Sequence, residues 1–206
     1  MLISPSIASA DVLRVAEELD FIDRYFDNVH IDIEDGVAVK GISFGMKMAR
    51  KICEYSKSKE KTIHLEVYEP LNYIDDLLSC RYDVAFIQVS HIEDPLAVVR
   101  KMKESGIVTG LNLRVEDTER ENFEELLDSC DHFLVSTTTY RHGYEEYLDS
   151  MEELAINLSG KKKIWVDGHI DYERFKRLDQ TDIYCAVMGR AIFEDKDLAV
   201  RQYCRN

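Results

Sequence analysis

The chain has 206 residues, 45% hydrophobic and 10% aromatic, and its 40 acidic residues against 26 basic ones give a formal net charge of −14. A chain of this length suits one domain that buries a core without disulfides or a structural metal. No run approaches the ~20 apolar residues of a membrane span, and the acidic balance argues against nucleic acid or an anionic membrane as partner. The first residues, "MLISPSIASAD", lack the basic start and long apolar run of a secretion signal, and five scattered cysteines lack C-x-x-C spacing. A reduced, cytoplasmic setting is therefore expected.

Taken in order, apolar β-branched runs predict strands at residues 2–7, 28–33, 62–68, 83–90, 107–114, 131–137, 162–168 and 183–189. Between them, i, i+3/i+4 apolar spacing predicts helices over residues 10–26, 45–59, 70–80, 94–105, 120–130, 144–160, 172–179 and 191–204. Asp11, Asp94 or Pro95, and Glu119 stand where helices should start, and Gly160 where one should stop. Strand–helix units repeated eight times predict a parallel sheet, and eight repeats favour a closed (β/α)8 barrel, a TIM barrel, spanning residues 1–206. An open dinucleotide-binding sheet should carry a glycine-rich turn after its first strand, and Ser4 to Asp11 holds no glycine.

Chemistry in such a barrel sits at the C-terminal ends of the strands. Near those ends the chain offers Ser6, then His30, Asp32 and Glu34, then His64 and Glu66, and finally Asp167, Gly168 and His169. Residues i and i+2 of a strand share a face, so "HID" and "HLE" each aim an imidazole and a carboxylate one way. Two polar groups on a core strand are costly to bury unless they satisfy each other or hold something. A lone strand histidine is more often a hydrogen-bonded core residue, and Asp167 alone could cap a turn. Repetition of H-x-[DE] on adjacent strands, with an aspartate on a third, tips the reading toward a divalent ion such as Zn, Fe, Mn or Co.

The stretches "ISPSIASAD", "VHIDIEDG", "IHLEVYEP", "WVDGHI" and "MGRAIF" resemble, in order and spacing, the motifs "SPSILSAD", "HVDVMDG", "HLMV-x-P", "VDGGI" and "GSAIF" of the ribulose-phosphate 3-epimerase family. The resemblance runs from Ser4 to Phe193. It implies a (β/α)8 barrel of the ribulose-phosphate-binding type, one divalent metal held by His30, Asp32, His64 and Asp167, and Asp32 and Asp167 as the two acid/bases. It also implies Ser6 at the substrate, a sugar or sugar-phosphate ligand, and a homo-oligomer. The implied reaction inverts C3 of a ketose phosphate, D-ribulose 5-phosphate or a related pentulose, hexulose or longer sugar, through an enediolate.

Three departures bear on the substrate. The family's methionines over the metal are replaced by Glu34, Glu66 and Ser136. Its glycine-rich "NPGFGGQ" phosphate loop reads "TTYRHGYE", Thr138 to Glu145. His169 and Arg190 follow Gly168 and Gly189 where the family offers backbone amides to the phosphate, so Arg190 and Arg141 are candidate phosphate donors. The competing readings are an epimerase or aldose–ketose isomerase acting on an unphosphorylated or differently anchored sugar, a decarboxylase-type barrel, and a non-catalytic relative. Glu34 stands where the decarboxylases need a lysine, and a binding module has no need of two opposed aspartates.

Overall fold

The computed structural model describes residues 1–141 and 144–204, apart from the side chains of residues 140, 141 and 144. In chain order the strands are β1 (Leu2–Pro5), β2 (Asn28–Glu34), β3 (Glu60–Glu66), β4 (Val84–Gln88), β5 (Thr109–Leu113), β6 (His132–Ser136), β7 (Thr138–Arg141), β8 (Tyr144–Tyr147), β9 (Lys163–Asp167) and β10 (Cys185–Met188). The helices are α1 (Val15–Tyr25), α2 (Met46–Tyr55), α3 (Ile74–Leu78), α4 (Pro95–Glu104), α5 (Phe123–Ser129), α6 (Asp149–Ser159), α7 (Tyr172–Leu178), α8 (Arg190–Phe193) and α9 (Lys196–Tyr203). Eight strands form one sheet in the order β1-β10-β9-β6-β5-β4-β3-β2, every pair parallel. A parallel bridge between Ser6 and His30 joins the two ends of that order. The result is the expected TIM barrel.

Strand alternation sorts the core into two parts. On β2, Val29, Ile31 and Ile33 pack outward against the helices, as Ile164 and Val166 do on β9. Inside the barrel a second cluster of Val84, Phe86, Leu134, Trp165, Cys185 and Val187 fills the lower half. Phe86 and Trp165 meet edge-on at 5.0 Å, and Trp165 meets Tyr184 at 4.7 Å. Gly110 on β5 makes room for this plug, because a Cβ there would lie 2.6 Å from the Phe86 ring. Below it, the Lys163 ammonium and the Tyr184 hydroxyl both donate to Glu60 Oε1, at 3.0 and 3.2 Å. The floor is thus closed by rings and one ion pair, and the open end is left to polar side chains.

Asp94 caps α4 through Ala97 N–H, with Pro95 in its first turn, and Gly160 ends α6. Other boundaries move. Asp11 does not start α1: its carboxylate accepts from Leu13 N–H, two residues on, and the helix begins at Val15. Glu119 closes a 3-10 turn, Val115–Glu119, and α5 begins only at Phe123. The helix read from residue 144 begins at Asp149, because Tyr144–Tyr147 pairs antiparallel with Thr138–Arg141 as a hairpin. Residues 70–80 divide into a 3-10 turn, Pro70–Tyr73, and the short α3. The C-terminal helix also splits, where Asp195 caps α9 through Leu198 N–H. No helix among the described residues is long and apolar enough to cross a membrane.

Candidate active site

The strand faces that turn into the upper barrel carry the residues singled out above. His30 and Asp32 lie on β2, His64 on β3 and Asp167 on β9, and one donor atom from each lies within 4.8 Å of all the others. Both imidazoles are buried, as is Asp32. His30 Nδ1 meets the Thr62 hydroxyl at 2.7 Å, which turns Nε2 toward Asp32 Oδ1 at 3.1 Å. His64 Nδ1 stands 3.3 Å from the same oxygen and 3.9 Å from Glu66 Oε2. The other carboxylate oxygen of Asp32 accepts from Ser6 Oγ at 2.5 Å. His30 Nδ1 is engaged by Thr62, while His30 Nε2, buried beside Asp32, has no hydrogen-bond partner of its own. A cation there would give the unpartnered nitrogen a partner, and two imidazoles with two carboxylates suit a divalent transition ion.

Electrostatics separates the two aspartates. Burial would raise the Asp32 carboxyl, but His30 and then His64 hold it well below the usual carboxylate range. Burial and the nearby Asp32 charge push Asp167 up to about 7. Burial works against protonation of His64, yet Glu66, Asp32 and Asp167 lift it to about 9. Carboxylates whose environments drive them apart in this way are suited to opposite halves of a proton transfer.

Above this centre opens a cleft of about 1380 Å³. Glu34 and Glu66, register partners on β2 and β3, both line it, and burial with the Glu66 and Asp32 charges pushes Glu34 up to about 7. Ser136 lies beside Asp167 in register and accepts from Asn112 Nδ2 at 2.8 Å. Gly168 takes a left-handed φ of 113°, and a Cβ there would lie 2.7 Å from Thr138 Oγ1. His169 follows with φ 50°, a conformation uncommon outside glycine. Gly189 and Arg190 line the far wall. The His169 ring and the Arg190 guanidinium both reach Glu145 Oε2, at 2.6 and 3.1 Å. The side chain of Arg141 lies outside the described residues.

The structure therefore brings His30, Asp32, His64 and Asp167 to one centre, sets Ser6 and Glu66 against it, and spreads Glu34, Ser136, Gly168, His169, Gly189 and Arg190 along the cleft wall. It adds residues not singled out from the sequence. Thr62 orients His30, and Ser43 Oγ donates to the Asp32 carbonyl while accepting from Glu34 N–H, tying the loop after β2 to the mouth. Gln88, Arg114 and Glu145 also line the cleft. Two-residue periodicity pointed at Thr62 and Gln88, which sit on inward faces. Glu145 carried no such signal, because its place depends on the hairpin.

Residues 2–193 match the sequence profile of the "Ribulose-phosphate 3 epimerase family". A ribulose-phosphate 3-epimerase of Helicobacter pylori strain J99 is 25% identical over 204 residues, covering 96% of this chain and 93% of that protein. One of Synechocystis is 29% identical over 213 residues, covering 97% and 90%. Among solved structures, the tryptophan synthase α-subunit of Pyrococcus furiosus superposes with TM-score 0.70 at 11% identity, covering 98% of this chain and 95% of that one. Phosphoribosyl anthranilate isomerase of Thermococcus kodakaraensis gives 0.69 at 12%, covering 98% and 96%. At such identities these two speak for the barrel alone. With nearly its whole length matched by the profile and by named epimerases, the chain belongs to the ribulose-phosphate 3-epimerase family and is an isomerase of the epimerase type.

Proposed function

We propose that this enzyme inverts C3 of a ketose phosphate, with D-ribulose 5-phosphate or a close relative as substrate. The observation that carries the reading is the convergence of His30, Asp32, His64 and Asp167 on one point at the barrel mouth. These four would hold a divalent cation of the Zn, Fe, Mn or Co kind, and when bound it would withdraw charge from the carbonyl and adjoining hydroxyl oxygens of the sugar. Asp32 and Asp167 stand three strands apart around the ring, on β2 and β9, and would address opposite faces of a flat substrate held between them. One takes the C3 proton, leaving an enediolate, and the other returns a proton from across the plane. Ser6 holds Asp32 by its outer oxygen, and Thr62 holds His30. Glu34, Glu66 and Ser136 offer acceptors to the hydroxyls of the sugar, and Arg190 with His169 offers donors to its anionic end.

The test is hydrogen exchange. Ketose phosphates incubated in heavy water with the metal-loaded enzyme should take up deuterium at C3, read by NMR, with inversion there. Asp32→Asn and Asp167→Asn should each abolish inversion at C3 while the circular dichroism spectrum stays native. Near-normal inversion in either variant, or label at C1 alone, overturns the reading.

A further inference from the structure

The strand-and-turn framework around Asp167 builds a seat for an anionic oxygen, and the chain itself fills it. Arg190 comes from the start of α8 and His169 from the turn after β9, yet both donate to one atom, Glu145 Oε2. Two donors from separate elements converging on one carboxylate oxygen form a site that a phosphate oxygen satisfies equally, and guanidinium binds phosphate through two parallel bonds. Arg114, which also lines the cleft, already faces Glu116 at 3.6 Å. His169 keeps an imidazole on a backbone at φ 50° where glycine would sit without strain, as expected if the ring has a task there.

The base of the hairpin is firmly tied. Thr137 N–H and Leu148 N–H bond to the Asp167 and Thr137 carbonyls at 2.7 and 2.8 Å. Thr137 Oγ1 reaches the Gly168 carbonyl at 2.6 Å, and Tyr147 is pinned to Glu152. The Glu145 contacts are different in kind. The side chains of Glu145, His169 and Arg190 are 48%, 27% and 61% exposed, and charge pairs this wet are weak.

We propose that Glu145 is a specificity-determining residue, an internal carboxylate that occupies the anion seat of Arg190 and His169 and that the phosphate of the substrate must displace. The proposal rests on the ketose-phosphate reading above and refines it: the seat selects ligands whose dianionic end outcompetes a single tethered carboxylate.

Glu145→Gln keeps the size and removes the charge at an exposed position. The ratio of kcat/KM for a ketose phosphate to that for the same ketose without phosphate should rise about two- to fivefold in this variant, in line with one exposed charge pair. In an Arg190→Ala background the same substitution should move the ratio by less than about 1.5-fold. Inorganic phosphate, titrated by calorimetry into metal-loaded protein, should bind Glu145→Gln more tightly than wild type by a similar two- to fivefold. An unchanged or lowered ratio, or unchanged phosphate affinity, overturns the proposal. If neither protein labels any ketose at C3, the ketose-phosphate reading fails, and the phosphate titration alone then decides whether Glu145 guards an anion seat.

Discussion

His30 Nε2 faces Asp32 Oδ1 across 3.1 Å, while its Nδ1 is held by the Thr62 hydroxyl at 2.7 Å. Thr62 therefore decides which nitrogen His30 presents. Replacing it with valine keeps the shape and removes the hydroxyl. Outer partners of this kind are worth about 10–100-fold in metal affinity, so Thr62→Val should weaken zinc or manganese binding by that factor in a competitive chelator titration. Unchanged affinity would show that the barrel wall, not Thr62, orients the ring.

Loss of either acid/base aspartate should lower turnover by at least the ~10²–10⁴-fold of positioned proton transfer. Asp32→Asn should also lose bound metal, because its carboxylate touches both histidines. Asp167→Asn should keep more of it. Parallel metal analysis and deuterium exchange on the same samples separate the two roles.

Without metal, the raised Asp167 makes the fold sensitive to pH. Burial and Asp32 lift its carboxyl from the ordinary 3.8 to about 7. The folded protein then holds a proton that the unfolded chain releases, so stability falls as pH rises from about 4 to about 7. Denaturant titrations of chelated protein should show this decline, Asp167→Asn should reduce it, and added divalent ion should oppose it. A chelated wild type whose stability is flat or rises across that window runs against the prediction.

On the outer layer, Arg177 donates to both oxygens of Glu152, at 2.7 and 2.6 Å, and Tyr147 donates to the same group. The Arg177 hydrogen bonds, outweighing burial, hold the Glu152 carboxyl below its ordinary 4.5. A depressed carboxyl contributes stability above its unfolded value and loses it as pH falls through the folded one. Arg177→Met should cost about 1–3 kcal/mol at pH 7, and the gap to wild type should narrow as pH falls below the ordinary 4.5, measured by urea denaturation at each pH.

At the barrel floor, Gly110→Ala would drive a methyl to 2.6 Å from the Phe86 ring and 3.0 Å from the His132 carbonyl. Overpacking of this kind costs about 1–3 kcal/mol. Phe86→Leu in the same chain should recover part of the loss, so the two changes combine to less than their sum. Strict additivity in thermal unfolding would contradict the contact.

The barrel was legible in the sequence because it depends on short-range periodicity, while the grouping of His30, Asp32, His64 and Asp167 rested on the family resemblance as well. "VHIDIE" alternates apolar and polar at period two, which fixes His30 and Asp32 on one face, and the same alternation on "TIHLE" fixes His64. Eight such runs suffice to argue closure. Misplaced features depended on contacts between distant segments. The motif "YEEY" reads as the first turn of an amphipathic helix until Thr138 and Thr139 lie alongside it. Asp11 looks like a cap, but the 3-10 turn at Ile7–Ser9 delays the helix. Glu145 could be reached only through the hairpin register, which local sequence does not encode.

The division of the barrel interior into an aromatic floor and a polar upper half has an evolutionary corollary. On β9 a single run, "KIWVD", supplies Lys163 to the underside, Trp165 to the plug and Asp167 to the mouth. A one-residue slip of that strand would send all three under the helices and bring Ile164 and Val166 inward. Insertions are therefore tolerable only in the loops, where new substrates can be accommodated without disturbing the strands that carry the reaction.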